Sequence, residues 1–125
     1  MSTTEMKKLF DRQQKIVYEL LNIERMLKGS YCSVYTKCGK ASCWCADGVG
    51  HKHSRLSWRE AGKSRIRSIP SEDIAWIKQM TKNYNKFKKL IENLSEVQDQ
   101  IKVLLNHQAE KVIISTTKEK LYLKI

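Results

Sequence analysis

The sequence predicts an α+β fold in which two long coiled-coil-like helices flank a small zinc-bound antiparallel β module. Three observations predict it. Heptad-spaced apolar residues run through both flanks, a β-prone stretch lies between them, and the segment from Cys38 to His51 packs three thiols and an imidazole among turn-forming glycines. The 125 residues, 41% of them hydrophobic, suffice for one modest domain rather than two independent cores.

The first element is a helix over residues 4–28. Met6, Leu9, Ile16, Leu20, Ile23 and Leu27 fall on alternating spacings of three and four, with Gln13 as a polar member of the stripe. Gly29-Ser30 supplies a helix stop, and Lys28 suits the negative end of the helix dipole. Residues 29–70 then read as a basic β module. Tyr31 to Thr36, Arg55 to Trp58 and Arg65 to Ile69 are the β-prone runs, and Glu60-Ala61-Gly62-Lys63 is a turn signal between the last two.

A second helix is expected over 71–108. Pro70-Ser71-Glu72-Asp73 marks its start, with Ser71 as N-cap and two carboxylates in the positive first turn. Ile77, Tyr84, Ile91, Gln98 and Leu105 recur every seven residues, and Met80, Phe87, Leu94, Ile101 and Gln108 follow three places later, so most of the seam is apolar. This pattern predicts a homodimer through the coiled coil; the rival reading closes both stripes into one monomeric core. The tail, 109–125, holds two β-prone runs and is expected as a hairpin, an edge strand or frayed chain.

Cys38, Cys43 and Cys45 have the spacing Cys-x4-Cys-x-Cys. Two ligands separated by one residue point to opposite faces of a strand, so Cys43-Trp44-Cys45 must form a tight turn for both sulfurs to reach one ion. Gly39 and Gly48 are suited to that folding back. His51 is the expected fourth ligand, with His53 and Cys32 as alternatives. Zinc bound by three Cys and one His is closed to substrate, so the predicted cofactor is a structural Zn²⁺. Small strained loops argue against disulfides between neighbours such as Cys43 and Cys45.

Twenty-four Lys and Arg against 13 Asp and Glu give a formal net charge of +11, the footprint of a polyanion binder. The charge is concentrated between Lys28 and Ile69, where the acids are Asp47 and Glu60. The expected nucleic-acid contacts are Lys37, Lys40, Lys52, Arg55, Arg59, Lys63, Arg65 and Arg67, joined by Lys78 and Lys82 from a lysine stripe that continues through Lys86 and Lys89. Tyr31, Tyr35, Trp44 and Trp58 are interleaved with them; two of the four are expected in the module's own core, leaving two for stacking on bases.

The rival class is a coiled-coil protein-interaction module or adaptor without nucleic-acid binding. An enzyme is not expected: no His-x-Glu with Pro-Cys-x-x-Cys, no Gly-x-x-x-x-Gly-Lys and no Gly-x-Ser-x-Gly occurs. The first residues lack the apolar core of a secretory signal and no long aliphatic run follows, so a cytoplasmic protein with no membrane partner is expected.

Cys-Gly-Lys-Ala-Ser-Cys-Trp-Cys-Ala-Asp-Gly with His51, followed by Leu-Ser-Trp-Arg-Glu-Ala-Gly-Lys-Ser-Arg, resembles a family of small bacterial and archaeal proteins with no established activity. Its pattern is Cys-Gly-Lys-x-x-Cys-x-Cys and His-Gly-Pro, then an aromatic strand, a glycine turn, an Arg-rich strand and a long helix. The resemblance covers roughly residues 27–94. It implies metal ligands at Cys38, Cys43, Cys45 and His51 and an accessory role beside mobile elements. This chain has Lys52-His53 where the family usually has Gly-Pro, and its strand there lacks the usual tyrosines, which keeps both His51 and His53 open as ligands.

Overall fold

The computed structural model describes residues 3–125. Five main elements follow one another: α1 (Thr3–Leu21), β1 (Ser30–Thr36), β2 (His51–Glu60), β3 (Lys63–Ser68) and α2 (Ile74–Val112). The architecture is α+β with one three-stranded antiparallel sheet in the order β1-β2-β3. The chain divides into two compact units, one holding residues up to Asn22 together with 90–125, the other Ile23–Lys89. α2 passes from the second unit into the first.

In the unit that contains α1, apolar periodicity does the organising. Ile16 on α1 and Leu90 and Val97 on α2 are buried, Val97 completely. On α1 the half-buried positions around Ile16 include Met6, Leu9, Gln13 and Leu20, members of the stripe the spacing predicts, with Glu19 beside them. The α2 seam differs by register. Leu94 and Ile101 turn inward as expected, but their companions are Leu90, Val97 and Leu104, so Ile91, Gln98 and Leu105 stay exposed. Both rows share the heptad repeat with Leu94 and Ile101, and Val97 in place of Gln98 makes the observed seam the more apolar one.

The two helices are also unequal. α1 has 19 residues and α2 has 39, so one helix is long and one short. α1 stops at Leu21, short of the expected residue 28, and Asn22 closes its last turn by donating to the Tyr18 carbonyl at 3.1 Å. Of the tail, expected as a hairpin, an edge strand or frayed chain, residues 109–112 continue α2, and beyond them the chain has a helical turn at Thr116–Glu119 and a 3-10 turn at Leu121–Leu123 and joins no ladder.

The second unit opens with residues 23–29 in non-helical form along the start of α2. The Leu27 N–H donates to the Met80 carbonyl at 3.1 Å, the Asn83 amide donates to the Arg25 carbonyl at 2.9 Å, and the Arg25 guanidinium lies over Trp76. These partners supply the backbone groups that a longer α1 would have paired internally. β2 is the central strand, and β3 is joined to it by Ala61 and Gly62, both at positive φ. Before α2, Ser71–Asp73 forms a 3-10 turn in which the Asp73 N–H donates to the Pro70 carbonyl at 3.0 Å; no side-chain cap closes it, so Ser71 is not the N-cap its sequence context predicts. Thr81 is buried on α2 and turns its hydroxyl back to the Ile77 and Lys78 carbonyls. Among the described residues no helix is long and apolar enough to cross a membrane.

Candidate metal centre and basic face

The connection from β1 to β2 folds back through two tight turns. The Cys43 N–H donates to the Lys40 carbonyl at 3.1 Å, and a 3-10 turn over Trp44–Asp47 begins immediately after it. Within that turn the Ala46 N–H reaches the Cys43 carbonyl and the Gly48 N–H reaches the Cys45 carbonyl. This is the tight turn that the Cys-x-Cys spacing demands. The glycines that permit the reversal are Gly39 (φ 86°) and Gly50 (φ 100°), whereas Gly48, expected in that role, sits at φ −130° in extended backbone. Gly50 is further constrained by space: a Cβ there would come within 2.5 Å of the Thr36 backbone carbon.

These turns bring Cys38, Cys43, Cys45 and His51 together, with all four donor atoms within 4.8 Å of one another. Cys38 Sγ lies 3.4 Å from Cys45 Sγ, and His51 presents Nε2 to Cys43 Sγ at 3.3 Å. Donors about 2.0–2.3 Å from a tetrahedral ion are themselves spaced about 3.3–3.8 Å apart, the range in which these two pairs lie, and the four together could hold a metal ion. Cys45 is fully buried, Cys43 and His51 half-buried, and Cys38 exposed. The fourth donor in the cluster is His51, at the first position of β2 opposite Thr36; Cys32 and His53, opposite Arg55 and Val34 in the same ladder, lie outside it.

The backbone prepares the thiols unequally. The Lys40 N–H, followed by the neighbouring Cys45 and His51 side chains, lowers the Cys38 thiol to about 6. Cys45 accepts the Cys38 N–H at 3.4 Å, which favours its thiolate, but burial and the adjacent thiols outweigh that bond and raise it. An exposed thiolate beside a buried thiol is an environment that a cation would relieve. Trp44 packs edge-on against the His51 ring, 4.9 Å between centroids, and is otherwise exposed.

The register of the sheet sorts the basic residues. Directly paired residues share a face, so Tyr31, Leu56 and Arg67 lie together, as do Trp58 with Arg65, Tyr35 with Lys52, and Lys63 with Glu60. One face therefore carries Lys52, Lys63, Arg65 and Arg67 among Tyr31, Tyr35 and Trp58. Arg55 and Arg59 belong to the other face, and Ile66 lies there too, more than half exposed. Of the four interleaved aromatics, Tyr31 and Trp58 are half-buried while Tyr35 and Trp44 are exposed.

Two of the predicted basic residues are held in local structure. Lys37 donates to the Ala46 carbonyl at 3.0 Å and so braces the metal loop; the Arg59 guanidinium donates to the Gly62 carbonyl at 3.0 Å across the hairpin turn. Lys40 sits in the first turn of the loop. On α2, Lys78 lies 4.9 Å from the Tyr31 ring centre, and Lys82 lines a shallow groove with Lys86 and Lys89. Sequence reasoning missed the contact of Tyr31 with Ser54 (2.9 Å between hydroxyl oxygens), since only the ladder register, which pairs Tyr31 with Leu56 and Ser54 with Ser33, makes those residues diagonal neighbours on one face.

Fold and donor set together define a small α+β protein with a three-cysteine, one-histidine cluster able to hold a metal ion. Residues 6–79 match the family described as Domain of unknown function (DUF6788), a match covering more than half of the chain, and the protein belongs to that family. The matched region includes all four donors and all three strands. No curated protein and no solved structure matches the chain.

Proposed function

We propose that this is a zinc-stabilised nucleic-acid-binding protein with an accessory or regulatory role, in which the metal is structural and the basic face of the sheet meets phosphate. The observation that carries the reading is the clustering of Lys52, Lys63, Arg65 and Arg67 with Tyr31, Tyr35 and Trp58 on one face. Cations there neutralise phosphates while the exposed Tyr35 offers a flat surface to an unpaired base. Lys78 and Lys82 extend the same sign onto α2.

Zinc is the metal that three thiolates and an imidazole favour, and four such donors complete its tetrahedron. The burial supports a structural ion: between Ile23 and Lys89 the buried residues are Cys45, Gly50 and Thr81, none of them a large apolar side chain. A sheet with so little dry core requires another source of stability, and metal binding coupled to folding supplies it. The test of function is fluorescence anisotropy of zinc-loaded protein with duplex DNA, single-stranded DNA and RNA across a salt series. A log-log slope worth several phosphates is expected. Absent binding at low salt would overturn the reading.

A protein-interaction role has its own supporting observation. Ile91, Leu105 and Val112, spaced by multiples of seven on α2, are all exposed, and so are Phe10, Val17 and Leu21 on α1. A second copy of the chain packed on these stripes would form the predicted coiled-coil homodimer. Sedimentation analysis of the wild type and of Leu105→Asp tests it: a dimer that the substitution converts to monomer is expected, and a wild type that sediments as a monomer at high concentration rules it out.

A further inference from the structure

Within the second unit, a cavity of about 310 Å³ lies between the sheet and the start of α2. Tyr31, Lys52 and Ser54 contribute to it from the strands, Ser71, Ile74 and Lys78 from the helix side, and no aspartate or glutamate lines it. The Tyr31 hydroxyl lies 2.9 Å from Ser54 Oγ and 3.2 Å from Ser33 Oγ, which fixes it at the cavity wall, while Lys78 Nζ rests over its ring. The chain after β3 is tied down beside it by the Ile69 N–H, which donates to the Ser54 carbonyl at 2.9 Å. Two cations and several hydroxyl groups thus converge on a space lined by no acid, and the ammonium groups can turn toward a guest oxygen while the Tyr31 hydroxyl is held in place beside them.

We propose that this cavity is a phosphate-binding subsite, the place where a phosphate monoester such as the 5′ end of a nucleic-acid strand is seated by Lys52, Lys78 and the Tyr31 hydroxyl. A terminal phosphate carries more charge than a backbone diester and presents three oxygens, matching two ammonium groups and a phenol. The Tyr31 hydroxyl is held below its usual range by Ser33 and Ser54, then by the positive charge of Lys78 and Lys52, which is the field an anion would meet. The cavity is distinct from the exposed Arg65 and Arg67, which meet diesters without enclosing them. The identification of the guest as a strand end rests on the nucleic-acid reading; the phosphate chemistry of the cavity does not.

The experiment uses the full-length, zinc-loaded chain and two probes: inorganic phosphate followed by amide chemical shifts, and one oligonucleotide prepared with 5′-phosphate and with 5′-hydroxyl. Expected are phosphate-induced shifts centred on Tyr31, Ser54 and Lys78, and about tenfold tighter binding of the phosphorylated strand. Lys78→Gln should remove most of that preference and Tyr31→Phe, which keeps the ring, about threefold of it. Lys118→Ala, which deletes the same charge on the tail, should leave it intact. Phosphate shifts at these residues without nucleic-acid binding would support the subsite with free phosphate as its source and sink the broader reading. Equal affinity for both strands, with no phosphate shift at the cavity, would overturn the subsite while leaving that reading standing.

Discussion

The two units of this chain are specified in opposite ways. Ile23–Lys89 depends on residues of fixed type at fixed places: four donors within 4.8 Å, a glycine that must be glycine, and a ladder whose register sets which side chains meet. The unit built from α1 and residues 90–125 depends on a repeat, with Ile16, Leu90 and Val97 as its buried centre. A repeat tolerates substitution, but it can be satisfied in more than one register. A metal cluster has a single solution and fails when one member is lost.

The comparison is broken most severely by removing a donor. Cys45→Ser, or chelation of the wild type, should abolish metal binding and erase amide-exchange protection through β1 and the start of β2. Helical protection at Val97 should persist; β1 protection that survives in the metal-free chain would show that the cluster does not hold the sheet. Gly50→Ala sets local space against the donors: with its Cβ driven to 2.5 Å from the Thr36 backbone, it should destabilise by about 3 kcal/mol in denaturant titration. Gly39→Ala, at a similar φ but with nothing within 4 Å, should cost about 1 kcal/mol.

In the helical unit, register is the matter to test. Val97→Ala should lower stability by about 2 kcal/mol, while Gln98→Ala, its neighbour on the expected seam, should stay within about 0.5 kcal/mol. Similar losses at both positions would contradict the observed seam. Replacing Arg65 and Arg67 together with Glu should leave thermal unfolding almost unchanged and reduce the salt slope of nucleic-acid binding by about two. The smallest effect is expected at Ala61, a non-glycine residue at φ 51° in a two-residue hairpin turn. Ala61→Asn, which suits that conformation, should stabilise by about 0.5 kcal/mol.

The sequence was most legible where chemistry is local. Three thiols and a histidine in one short segment announced their cluster, and the β-prone runs and the Ala61-Gly62 turn announced the hairpin. Legibility fell where the answer lay in a partner. α1 ends at Leu21 because Met80 and Asn83, distant in sequence, take up the hydrogen bonds of residues 25 and 27, although the apolar spacing through Leu27 continues unbroken. The α2 seam could not be read from one helix, since Val97 and Gln98 sit in equally good heptads. Gly48 and Gly50 are indistinguishable as letters; the positive φ of Gly50 and the close approach of Thr36 to it separate them. The tail's β-prone runs found no partner strand, and propensity without pairing does not make a sheet.

The central strand β2 is joined to its neighbours by very unequal links: Ala61 and Gly62 on one side, residues 37–50 on the other. Loop closure grows with the logarithm of length, so the longer link carries an extra entropic penalty of about 2 kcal/mol before any β1 contact repays it. The β2–β3 hairpin can therefore form early on its own clock, while β1 must wait for its loop to be drawn shut. A metal ion held by donors at both ends of that loop would draw it shut, so the rate at which the sheet completes would depend on free metal concentration, a timer set by the ion supply.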